Sequence, residues 1–468
     1  MNDHMDSTGC QGHGPCHTKN GPDWISHDQT PKTLVFVGTD LFLPDPFFLC
    51  TDPRSSNQKS HTKVLFTQLY YSPSMEPSWK LTTALLCLYG FLKELRPSEP
   101  YLTEYLIDPR YPNITLQEAY KNVYPVWTYS YLSVLVLVFL VTDFFRYRVI
   151  IIIEGLAYVG TWLLLLYAKG VVWMQVMQFA YGIASSTEVA YFTYIYAQVD
   201  SSHYQIVTSF TRVALLVGRF CSGILGQFLV FMEFTTYREL NYISLISVSL
   251  STLVSFCLPK VQTSIYFHRT STIDKDVKEP INWKMALKHF KGDVVAAFGN
   301  PYILKWSIWW SIGMAGNFQV GNYIQPLWET IAPDESKEIY NGGVEAFTTL
   351  LGALFAFLLG YVRLDWSVYG EYVILFCSML NGFILIMMGQ TNHIWIAYAG
   401  YCAFRSLYQM MITIASFEVA RNINKDSYGL VFGINTFFAL LWQTILTIVV
   451  VDDVGFTLPL RQQGRLHL

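Results

Sequence analysis

The run VIIIIEGLAYVGTWLLLLY, residues 149–167, decides what kind of molecule this is. A helix needs about 20 mostly apolar residues to cross the hydrocarbon core of a bilayer, and this run supplies them with one charge, Glu154. Backbone polar groups in lipid must be satisfied within their own segment, so the run reads as a helix. Working outward, segments of the same character lie near 79–95, 124–142, 171–197, 206–232, 240–258, 302–328, 338–362, 368–389, 393–419 and 428–452. The last is the cleanest, since Leu430–Val451 carries no charge at all. The whole chain agrees: 52% of its 468 residues are hydrophobic and only 14% are charged, against about 25% in ordinary soluble domains. That excludes a soluble multidomain enzyme. A net charge of −3 leaves no bulk attraction for nucleic acid. Of eight Cys, five lie in apolar stretches (Cys87, Cys221, Cys257, Cys377 and Cys402), so no disulfide framework is implied.

The expected fold class is therefore an all-α polytopic membrane protein of about eleven spans. Most connections are short. Residues 259–301 form a longer polar loop that separates six spans (79–258) from five (302–452). Two six-helix halves around a polar central loop are the layout of the major facilitator fold, and on this count a twelfth helix is missing, with 453–468 a polar tail. Gly352, Ala353 and Ala356 suit close helix contact. The central loop carries seven Lys or Arg, and Arg146, Arg148, Arg421 and Lys425 fall on the same side, which marks that side as cytoplasmic. The sequon Asn113-Ile114-Thr115 falls on the opposite side, where glycosylation occurs. Both signals place the N-terminus inside. Residues 1–78 read as a disordered cytoplasmic extension without a cleavable signal. The loose group His4, Cys10, His13, Cys16 and His17 in it matches no zinc spacing, so no metal is expected.

Ionisable residues inside spans are costly and face a cavity or a partner. Glu99, Glu154, Glu188, Arg212, Arg219, Glu345, Arg405 and Glu418 are such residues. Arg212 and Glu418 are expected to snorkel towards the cytoplasmic ends, and Glu154 to be a packing acid. Glu188, Arg219 and Glu345 lie deeper and read as pathway or internal ion-pair residues. Aromatics crowd the same spans: Tyr124, Trp127, Tyr129 and Tyr131, then Tyr181, Tyr191, Tyr194 and Tyr196, then Trp306, Trp309 and Trp310. Many of them belong at membrane interfaces for ordinary reasons. A cavity lined by rings and a few carboxylates also suits a flat organic cation, held by stacking and cation–π attraction.

Six ordered strings carry a more specific signal: Arg96-Pro97-Ser98-Glu99-Pro100, the aromatic run from Tyr124 to Tyr131, Thr142-Asp143 with Arg146-Tyr147-Arg148, Thr161-Trp162 with four Leu, the run Tyr340–Ala346, and Val431–Phe437. Together they resemble the vitamin transporter family of thiamine transporters and reduced folate carriers, from about Trp79 to Pro459. Glu188 and Gln443 resemble the thiamine branch, where folate carriers place a base. The resemblance implies a pocket in which Tyr124 and Tyr181 flank an aminopyrimidine ring beside Trp127. In it Asn322 bonds the ring's polar edge and Glu99 and Glu345 face the thiazolium end. Trp162 and Tyr408 are weaker wall residues. Two positions depart from the thiamine pattern. Gln178 stands where the resemblance expects Glu, and an amide offers only neutral hydrogen bonds. Arg219 stands where an uncharged residue is expected. It either pairs with Glu188 or Glu345, or favours a substrate bearing phosphate or carboxylate.

The function expected is thiamine uptake by alternating access at the plasma membrane, with proton coupling, if any, through Glu99, Glu188 or Glu345. The alternatives are a carrier of anionic vitamins (thiamine monophosphate or reduced folate) and a truncated, non-transporting relative. No cofactor is expected, and no spacing of Ser, His or Asp suggests an enzyme.

Overall fold

The structure is a computed structural model and describes residues 79–145, 147–198, 204–261, 283–332, 340–362, 364–423 and 428–451. The N-terminal extension with its His and Cys residues, the C-terminal tail and much of the central loop lie outside the described residues. Everything described is helix or connection, with no strand.

The chain begins with α1 (Trp79–Glu94), a 3₁₀ turn at Glu99–Tyr101 and α2 (Leu102–Ile107). A short α3 (Leu116–Glu118) and one π turn lead into α4 (Tyr124–Phe144). Then come α5 (Arg148–Tyr167), α6 (Val171–Gln198), α7 (Tyr204–Phe231) and α8 (Tyr237–Cys257). After α9 (Trp283–Phe298) follow α10 (Pro301–Ile331), α11 (Asn341–Tyr361), α12 (Trp366–Gln390), α13 (Ile394–Arg421) and α14 (Tyr428–Val450). Eleven of these match the apolar segments within a few residues. Six of the fourteen (α5, α7, α8, α11, α12 and α14) are long and apolar enough to cross a membrane by length and composition alone. The central loop differs from expectation, because α9 lies within it. Its sequence WKMALKHFKGDVVAAF spaces apolar residues at helical intervals between lysines, which makes a helix too charged to be a span.

The first span is broken, and the break positions the site. Pro97 has no N–H and disfavours helix at Arg96, so α1 stops at Glu94. The freed donors find side chains on neighbouring helices: Arg96 N–H donates to Ser222 Oγ at 3.0 Å, and Ser98 N–H to Ser244 Oγ at 3.2 Å. Irregular backbone inside a membrane protein is tolerated where it is satisfied in this way and lines a cavity. Helix α7 approaches closely because it is small at the contacts. A Cβ on Gly218 would lie 2.7 Å from the Phe91 carbonyl, and one on Gly223 would lie 2.6 Å from the Gly342 carbonyl of α11.

Polar contacts gather at the end of the molecule that bears Asn113. Asn341 Nδ2 donates to Glu104 Oε1 at 2.7 Å and to the Pro100 carbonyl at 3.2 Å, and Tyr398 OH donates to Asn341 Oδ1 at 2.9 Å. Gln325 Nε2 donates to the Glu99 carbonyl at 3.0 Å, and the Gly343 N–H to Gln227 Oε1 at 2.9 Å. These bonds tie the broken first span and α7 to α10, α11 and α13. Asn113 itself is exposed with φ of 53°, a left-handed conformation that Asn tolerates.

Candidate functional site

Between these helices lies a cavity of about 400 Å³, within the size range of small-molecule sites. One wall is aromatic. Trp127 meets Phe318 edge-on, with centroids 5.8 Å apart, and leans on Tyr131 at 5.5 Å and Tyr181 at 6.4 Å. Its Nε1 donates to Ser185 Oγ at 3.0 Å, which fixes the indole. Tyr124 shares a 2.7 Å hydrogen bond with Thr103 Oγ1. Asn322 Nδ2 donates to Thr128 Oγ1 at 3.3 Å, and Gln178 also faces the cavity.

The charged lining comprises four carboxylates, Glu94, Glu99, Glu188 and Glu345, and three guanidinium groups, Arg96, Arg219 and Arg405. Glu345 accepts from Tyr401 OH at 2.8 Å, and Arg405 Nη1 donates to Asn317 Oδ1 at 2.6 Å. Arg96 is the hub of the other side. Its guanidinium carbon lies 5.1, 5.7 and 5.8 Å from the ring centroids of Tyr158, Trp162 and Tyr181. The same group pairs with Glu94 and Glu99, each at 3.2 Å. Tyr181 OH in turn donates to Glu99 Oε1 at 2.5 Å, and Trp162 Nε1 to Ser98 Oγ at 3.0 Å. An arginine of this chain therefore sits inside a three-ring cage of the kind that binds organic cations.

Arg219 pairs with Glu94, a partner the sequence did not suggest, its Nε donating to Oε2 at 2.7 Å. Glu94 is buried and thus serves both Arg219 and Arg96. Glu188 pairs instead with Lys93 at 2.9 Å, and Lys93 also pairs with Glu154 at 2.8 Å.

Ten of the predicted residues meet at this cavity: Glu99, Tyr124, Trp127, Trp162, Gln178, Tyr181, Glu188, Arg219, Asn322 and Glu345. Tyr408 and Gln443 do not. Tyr408 packs into the apolar core, and Gln443 is fully buried in α14 with no hydrogen-bond partner for either amide atom, so neither forms part of the wall. Two other expectations change. Glu418 is fully buried and accepts from Tyr302 OH at 2.6 Å, and Arg212 is buried over the Phe192 ring at 4.4 Å, so neither extends outward. Lys93, Glu94 and the cage role of Arg96 escaped the sequence reading. In LKELRPSEP, residues 92–100, they look like the charged end of a span. The signal was Pro97 and Pro100 inside an otherwise continuous membrane segment, which marks a discontinuous helix and hence a site.

A broken helix, polar groups converging on a mid-chain cavity and apolar helices around it define a multi-pass membrane carrier. The structure is similar to the nucleoside transporter NupG at a TM-score of 0.56 and 13% identity, over 82% of this chain and 95% of that one, which shows the facilitator-type fold. Residues 77–466 match the reduced folate carrier model, and the chain belongs to that family. It is 42% identical to thiamine transporter 1 of Mus musculus, over 82% of this chain and 86% of that protein. It is 39% identical to thiamine transporter 2 of Homo sapiens, over 84% and 88%. The family and the structural neighbour are transporters.

Proposed function

We propose that this protein carries thiamine into the cell across the plasma membrane, its helices rocking around the cavity so that each side opens in turn. The observation that carries this reading is the lining itself: clustered aromatic rings with one more carboxylate than guanidinium groups. A flat monocation matches both features, because the rings accept its face and the excess carboxylate balances its charge. The names of the relatives agree with that chemistry. In this reading Tyr124, Trp127 and Tyr181 hold the aminopyrimidine, Asn322 and Gln178 bond its polar edge, and Glu99 and Glu345 face the thiazolium. The N-terminus lies in the cytoplasm, and Asn113 lies outside and is glycosylated.

Labelled thiamine uptake in transfected cells tests this. Wild type is expected to take up thiamine in preference to thiamine monophosphate and folate. Glu345→Gln is expected to lose about tenfold or more of that uptake at unchanged surface expression, since one charge-assisted contact is worth about 1.5–3 kcal/mol. Unchanged uptake in the variant rules out the role of Glu345.

A second reading, carriage of an anionic vitamin, draws on Arg96, Arg219 and Arg405 in the lining. The pairing of Glu94 with two of them weakens it. Uptake of folate or thiamine monophosphate that falls in Arg219→Phe would favour it.

A further inference from the structure

Helix α9 and the start of α10 lie at the end opposite Asn113. Lys305 is twenty residues, about 30 Å of helix, before Gln325, which bonds the broken first span. This end is the cytoplasmic one in the reading above. Lys284, Lys288 and Lys291 recur every three or four residues and are exposed, so they form one basic stripe along α9. Beyond the stripe Ala297 is buried and Phe298 packs against the core, which holds α9 to the bundle beside α10 and α14. Lys305 of α10 pairs with Glu371 of α12, and both side chains are half-exposed. Four lysines here meet two carboxylates, Asp293 and Glu371. Asp365, at the start of α12, has Arg421 beside it. The patch keeps a net positive charge.

An apolar groove runs from the ion pair towards the middle of the membrane. Ile308 and Ile312 follow Lys305 at helical spacing, Leu375 and Met379 follow Glu371, and all four are exposed. Gly321 and Gln325, which line the cavity, lie on the opposite side of α10, so the groove faces lipid. Lys305 to Ile312 is about 10 Å along the helix and Glu371 to Met379 about 12 Å, most of the roughly 15 Å that one leaflet's hydrocarbon spans. In the first half the comparable place, between α1 and α5, is filled by α8. Its buried Ser244, Ser247, Ser251 and Ser255 allow close approach. Ser247 Oγ donates to the Leu92 carbonyl at 2.7 Å, and Thr252 lies against Gly155. Helix contacts in lipid select such small residues. The α10–α12 groove presents branched and long side chains instead, a surface that suits acyl chains. A helix laid over it would also strip water from Lys305 and Glu371, which is costly. A lipid headgroup leaves both in the polar layer.

We propose that the groove between α10 and α12 is a binding site for an anionic phospholipid. Its acyl chains lie along Ile308, Ile312, Leu375 and Met379. Its headgroup meets Lys305 and the basic stripe of α9, as polybasic segments meet the anionic inner leaflet. One lipid then bridges α9, α10 and α12, and ties the helix of the central loop to the second half of the molecule.

The test uses purified full-length protein in phosphatidylcholine liposomes. These hold a trace of either phosphatidylserine or phosphatidylcholine with a photoreactive diazirine in one acyl chain. After irradiation the adducts are mapped by mass spectrometry, a readout independent of thiamine transport. Peptides spanning 304–312 and 371–379 are expected to take the serine lipid over the choline lipid by about tenfold or more, since one lysine near an anionic surface is worth about fivefold. The outer face of α5, at Leu156 and Leu163, should not discriminate between the two lipids. Lys288→Gln with Lys291→Gln should remove most of the preference at the groove. Glu371→Gln leaves Lys305 to the headgroup and should raise the preference about fivefold. All these side chains are exposed, so the variants are expected to fold. Equal labelling by the two lipids, no adduct in the groove, or a preference unchanged in the double variant overturns the proposal. So does crosslinking of these peptides to the same peptides of a second copy, which would make the face a contact between copies.

Discussion

Glu94 is the residue on which the character of the cavity turns. It holds Arg219 and Arg96 together, and without it two guanidinium groups face the space a cation must enter. Removing one partner of a buried ion pair costs about 3–5 kcal/mol, and each 1.4 kcal/mol is a tenfold effect. Glu94→Gln is therefore expected to lower thiamine uptake by about tenfold or more. Glu94→Gln combined with Arg219→Gln should recover part of the loss, a non-additivity that a double-mutant cycle of uptake rates measures. Much of the lining was legible in the sequence because Glu99, Glu188, Arg219 and Glu345 are ionisable residues in apolar surroundings, a short list by nature. Their pairing was not. Which carboxylate meets Arg219 depends on the rotation of α1 against α7, and Lys93 and Glu94 sit where any span could end. Tyr408 and Gln443 lie outside the cavity lining for the same reason. Tyr408 packs into the apolar core and Gln443 is buried in α14, and one sequence does not fix the rotation of a helix about its axis.

At the level of elements, helix boundaries followed the apolar runs closely because both lipid and packed interior demand the same residues. The interruption of α1 and the helix within the central loop were less visible. The first depends on serines of α7 and α8, remote in sequence, to satisfy the freed backbone donors. The close approach of α7 to α11 depends on Gly223 and Gly342, where a Cβ on either would lie within 2.8 Å of the other's carbonyl oxygen. Gly223→Val places carbon against the Gly342 carbonyl, a clash with backbone that no rotamer relieves. The two helices must separate, so thiamine uptake is expected to fall several-fold while the protein still reaches the membrane. A cysteine placed at Ser98 should then react faster with an external thiol reagent. Labelling rates equal to those of the parent cysteine variant would show that the contact does not matter.

Taken whole, the molecule is tied together at the end that carries Asn113, and Asn341 is the centre of that tie. Its three side-chain hydrogen bonds reach Pro100, Glu104 and Tyr398. At about 1 kcal/mol each, their loss shifts the ratio of closed to open forms by roughly a hundredfold. Asn341→Leu is expected to favour the form open at that end. External thiamine should then bind at least as tightly, while transport slows because reclosure has lost its contacts. Binding and uptake measured on the same preparation separate the two effects.

The arginine within the rings of Tyr158, Trp162 and Tyr181 bears on how hard this protein can grip anything. An empty aromatic cage gains its full attraction for a visiting cation. Here the place is held, and a visitor reaching those rings gains only the difference between its own contacts and those of a guanidinium tethered to the backbone. The arrangement favours quick arrival and quick departure over tenacity, which suits a device that must let go of its cargo at every cycle.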